Sequence, residues 1–62
     1  MELDVAQLSS LSSSLDQLTQ RITSMAEGFA GAPREDLAAD LYDIERHLNA
    51  ASRRMRTLLD RA

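Results

Sequence analysis

The chain has 62 residues, 44% of them hydrophobic and 27% charged, with ten acidic side chains against seven basic ones and a formal net charge of −3. One small domain fits this length, the lack of cysteine excludes a disulfide framework or a thiolate zinc site, and the acidic balance argues against generic binding to nucleic acid. No apolar run approaches a membrane span, and Met1-Glu2-Leu3-Asp4 lacks the basic and apolar segments of a secretory signal, so a cytoplasmic protein without membrane partners is expected.

Leucine and alanine dominate the apolar residues, with one valine, two isoleucines and almost no aromatics. That composition favours helix over sheet. The first predicted element is a helix over about residues 4–30. Its large apolar residues are Leu8, Leu11, Leu15, Leu18, Ile22, Met25 and Phe29. They alternate at spacings of three and four, an a/d heptad seam with Leu8 at position a. Glu2 and Asp4 suit the positive end of this helix's dipole.

Both glycines and the only proline fall within Gly28-Phe29-Ala30-Gly31-Ala32-Pro33. Breakers confined to the middle of a chain mark one turn between two elements. The turn is expected at about 31–34, with Gly31 left-handed at the end of helix 1 and Pro33 in the first helical position of helix 2. Helix 2 is then predicted over about 35–60, with Glu35 and Asp36 in its first turn and arginines at its end. Its seam is Leu37, Leu41, Ile44, Leu48, Ala51, Met55 and Leu58, again at heptad spacing.

The expected fold is therefore all-α: an antiparallel two-helix hairpin with a coiled-coil-like a/d seam. Across the pair, Leu8 would face Leu58, Leu18 would face Leu48 and Phe29 would face Leu37. So small a core rarely offsets the entropy of ordering a chain of this length, and association into a homodimeric four-helix bundle is expected. Position e offers a second contact face, being mostly small or β-branched: Val5, Ser12, Thr19, Ala26, Ala38, Ser52 and Leu59, with Glu45 the charged member.

Residues able to carry chemistry are few. His47 is the only histidine; it lies one turn from Asp43 and has no convergent set of metal ligands beside it. No nucleophile–base set and no phosphate-binding glycine loop is present, so no catalytic, cofactor or metal residue is assigned and the chain is not expected to be an enzyme. Ser9, Ser10, Ser12, Ser13 and Ser14 form a weakly charged face on helix 1. On helix 2, Tyr42, Arg46, Asn49, Arg53 and Arg56 recur at spacings of four and three. They form one outward stripe opposite the seam. Arginine forks beside an aromatic ring suit a carboxylate, a phosphate or a partner's acidic helix.

The segment Phe29-Ala30-Gly31 between two helices resembles an aromatic variant of the Trp-x-Gly turn of the type VII secreted (WXG100-like) helical hairpins. The resemblance covers these three residues and the hairpin plan. Tryptophan is absent, and Tyr42 is followed four residues later by Arg46, where that family's export signal has an acidic residue. The resemblance implies a secreted helical dimer with Phe29 at the aromatic position of the turn.

The residues by themselves point to a small interaction or assembly module that presents the Tyr/Arg/Asn stripe to a protein partner. A small regulator that contacts transcription machinery or an anionic ligand through the same arginines is the second reading.

Overall fold

The computed structural model describes residues 4–61; Glu2 lies outside the described residues. Two helices make up the fold, α1 (Val5–Ala30) and α2 (Glu35–Arg61), and they pack against each other as a hairpin. The result is a rod of 48 × 16 × 15 Å with a radius of gyration of 14.5 Å. A compact chain of the same length would have a radius near 11 Å.

Asp4 starts α1. Its backbone is extended, and its carboxylate accepts the Gln7 N–H at 2.9 Å. Such a cap satisfies one of the four orphan N–H groups at a helix start and is worth about 1 kcal/mol. At the other end Gly31 closes the helix in the right-handed region (φ −77°, ψ −12°), its N–H donating to the Glu27 carbonyl at 3.2 Å. The left-handed glycine expected there does not form, because the chain turns by a different device. The Arg34 N–H donates to the Ala32 carbonyl at 2.8 Å, a three-residue turn centred on Pro33, whose ring fixes φ near the value this turn requires. Pro33 therefore sits before the helix and not in its first position. Arg34 is the half-in residue, its carbonyl accepting from Ala38 N–H at 3.2 Å. Glu35 and Asp36 occupy the first turn of α2, and Arg61 its last, each charge at the helix end that favours it.

The helices are rotated about their axes relative to the expected a-against-d layers. The buried residues are Ser12, Thr19, Ala26, Ala38 and Ser52, every one at position e. Position a (Leu8, Leu15, Ile22, Phe29, Leu41, Leu48, Met55) lines one side of this contact and is half-buried. Position d is largely outside it. The heptad pattern assigns position e to contacts between hairpins; in the structure it serves the contact within one. Small side chains let two helix axes come close, so that Ala26 and Ala38 are 0% and 4% exposed. Leucines on both sides would hold the axes further apart. No large side chain is fully buried among the described residues.

Polar pairs reinforce the e row. The Thr23 hydroxyl donates to the Glu45 carboxylate across the pair, and the Ser52 hydroxyl donates to Asp16 Oδ1 at 2.6 Å. Thr19 returns its hydroxyl proton to the Leu15 carbonyl of its own helix at 2.8 Å, as a buried threonine in a helix commonly does. No side-chain N or O shut off from solvent lacks a partner among the described residues.

Candidate interaction surface

Rotation around e divides the hairpin into two unlike broad faces. In a helix, position d lies about 100° from e on one side, and positions b and f lie about 60–100° from e on the other. Because the helices are antiparallel and both pack through e, their d rows emerge on the same face of the rod. That face carries Leu11, Leu18, Met25, Ile44 and Leu58, exposed by 53, 46, 57, 45 and 43%. Ala51 is also exposed, and Leu37, the remaining d residue, is half-buried. The half-buried a residues floor the face. All fourteen seam residues therefore border one continuous apolar surface, part of it turned to solvent. Isolated exposed leucines need no explanation, but a contiguous apolar face on so small a protein is a candidate interaction surface.

Phe29 belongs to the last turn of α1, not to the turn itself, and is half-buried. Of the serine run, Ser12 is buried in the helix contact and Ser9, Ser10, Ser13 and Ser14 are exposed.

The opposite face is polar. Tyr42, Arg46, Asn49, Arg53 and Arg56 are all exposed and lie at positions b and f of α2, so they share that face. Two of the arginines are already engaged. Arg46 pairs with Asp43 one turn away, and Arg56 Nη2 lies 3.4 Å from Asp16 Oδ2. His47 Nδ1 lies 2.8 Å from the Asp43 main-chain oxygen, and because a carbonyl oxygen only accepts, Nδ1–H is the donor. The pairing of Asp43 is thus with Arg46 through its carboxylate, and with His47 through its backbone.

Asp16 is the node between the helices. The Ser52 hydroxyl is the main cause that holds its carboxyl below the usual carboxylate range, opposed by partial desolvation and aided by the Arg56 hydrogen bond and charge. Sequence reasoning missed it, since its role depends on the rotation that brings Ser52 and Arg56 to it. A carboxylate with a lowered folded pKa stabilises the fold above the unfolded pKa near 3.9 and loses that contribution as pH falls through the folded value. Asp16→Asn is therefore expected to lower the urea midpoint at neutral pH. Its deficit relative to the wild type should hold down to about pH 5 and close as both proteins are taken below pH 4. A deficit unchanged at pH 2–3 would show that the charge of Asp16 is not what matters.

No group of three or more His, Cys, Asp or Glu residues is placed to hold a metal ion, and no helix is long and apolar enough to cross a membrane, among the described residues. Compared with protein-family models, with curated proteins and with solved structures, the chain matches none of them.

Proposed function

We propose that the protein is a non-enzymatic assembly module: two hairpins associate through their apolar faces into a homodimeric four-helix bundle, and the Tyr42, Arg46, Asn49, Arg53 and Arg56 face, turned outward, is presented to a protein partner. The exposed d row carries this reading. A single hairpin covers its large apolar residues only by half, whereas a second layer of helices would cover the rest. The accessible surface, 4859 Å², supports it too. A compact monomer of 6.9 kDa exposes roughly 4000 Å². The excess is close to the ~800 Å² that each partner contributes to a standard stable interface.

Sedimentation equilibrium over a dilution series, with circular dichroism in parallel, tests the reading. Mass of a dimer, with helicity lost as the dimer dissociates, is the expected result. A monomer that keeps full helicity at micromolar concentration would remove it. The polar face has its own test. Arg46→Ala with Arg53→Ala is expected to leave mass and helicity unchanged while reducing recovery of bound partners at least several-fold, and undiminished recovery would relieve the stripe of its role. The regulator reading rests on the same arginines, and the carboxylates of Asp43 and Asp16 already engage two of them, which favours a protein surface over a free anion.

A further inference from the structure

The proposed bundle can be built with α2 of one copy over either helix of the other, and the charges bordering the apolar face distinguish the two. Position g borders that face on its outer side. On α2 it reads Asp40, His47, Arg54, Arg61, all exposed. The border opens on an acidic residue, Asp40, and is basic along its second half, at Arg54 and Arg61. On α1 the same border reads Gln7, Ser14, Arg21 and Gly28, with a single charge. Among the described residues neither Asp40 nor Arg54 has an ion-pair partner within the hairpin. They stand about 21 Å apart along one helix, so they cannot pair in one chain.

A border acidic at one end and basic at the other is complementary to an antiparallel copy of itself and repels a parallel one. Resting on the assembly reading above, we propose that the apolar face is covered by a second copy of this chain about a two-fold axis perpendicular to the helices, with α2 antiparallel on α2 and Asp40 of each copy against Arg54 of the other. A two-fold interface is self-complementary by construction, and the sequence sets apolar residues opposite one another in every layer except that of Phe29, which falls opposite Asp4. With the two copies overlapping along their whole length, Leu37 falls opposite Leu58, Ile44 opposite Ala51, and Leu48 opposite its own counterpart. On α1, Leu15 falls opposite Leu18. The face measures about 48 × 16 Å, on the order of the ~800 Å² per partner of a stable pair. The rival axis, parallel to the helices, would lay α1 over α2. It sets Asp40 near Arg21 but leaves Arg54 near Gln7, so half of the charged border goes without a partner.

The test uses the full chain at low ionic strength, where exposed pairs are least screened. Asp40→Arg and Arg54→Asp each turn two attractive contacts per dimer into two repulsive ones, and each is expected to weaken self-association by roughly tenfold. Mixed in equal amounts, the two variants regain both attractions. The arginine introduced at position 40 of one chain then meets the aspartate introduced at position 54 of the other, and the unchanged Asp40 and Arg54 meet at the second contact. The mixture should therefore form a heterodimer about as tight as the wild-type homodimer, read by fluorescence transfer between differently labelled chains. Circular dichroism of each variant checks that the helices are retained. Single variants as tight as the wild type would overturn the arrangement, as would a mixture no tighter than its components. If Asp40→Arg is rescued by mixing with Arg21→Asp instead, α1 lies over α2 and the proposed axis is wrong, while the assembly reading stands. A wild-type chain that is monomeric and fully helical overturns both.

Discussion

Leu18→Asp is expected to leave the chain monomeric at concentrations where the wild type is a dimer, with helicity falling together with mass. Leu18 is half exposed in the hairpin, so in an isolated hairpin a carboxylate there would change stability by a few tenths of a kcal/mol. In the bundle the same side chain faces its counterpart's layer in both copies. Losing the remaining burial of two leucines costs about 2 kcal/mol, and burying two carboxylates adds several kcal/mol more. Together that is a weakening of at least a thousandfold. The size of the loss is therefore the informative quantity. Sedimentation equilibrium reads it directly, and a Leu18→Asp chain that remains dimeric would show that the d row is not a contact.

Ala26→Leu is expected to be damaging too, though less so, for the opposite reason. Leu18 stands on the open face, whereas Ala26 is fully buried in the contact between the helices, where Ala38 is also buried. A side chain with no exposed surface leaves no room for three added carbon atoms. Overpacking of this kind costs about 1–3 kcal/mol per chain, or a fall in melting temperature of roughly 5 °C or more for a domain of this size. Ala39→Leu, on the exposed surface of α2, is the control, and it should change little because leucine is nearly as good a helix former as alanine. Equal melting temperatures for the two variants would mean that the axes are not held at close range by small residues.

Two helices packed as a hairpin are legible in the sequence because each signal has a local cause. Gly28, Gly31 and Pro33 interrupt helix at one place only, and heptad spacing on both sides of them requires helical periodicity. Rotation about the helix axes is not legible. A stripe of leucines shows which side of a helix avoids water, but not whether the neighbour that covers it is the other helix or another molecule. The informative residues flank the stripe. Ser12, Thr19, Ala26, Ala38 and Ser52 are small, and small residues in register on both helices permit close approach. In the sequence they look like room for a second hairpin, whereas the first to use that room is the partner helix of the same chain. The links from Asp16 to Ser52 and Arg56, and from Thr23 to Glu45, depend wholly on this rotation and so are hidden with it. At Gly31 a known preference of glycine for the left-handed region is outweighed by a tighter turn that Pro33 supplies next door.

The e row also changes character along the rod. Beside the turn it holds Ala26 and Ala38; further away Glu45 is bonded by Thr23 and Ser52 bonds Asp16, both partners from position b, and at the open end Leu59 is half-buried and Val5 half exposed. Water competes for the hydroxyl and carboxylate pairs and has nothing to offer the two methyl groups. A hairpin graded in this way is expected to open first at its free ends, with amide protection rising toward the turn and highest around the buried Ala26 and Ala38.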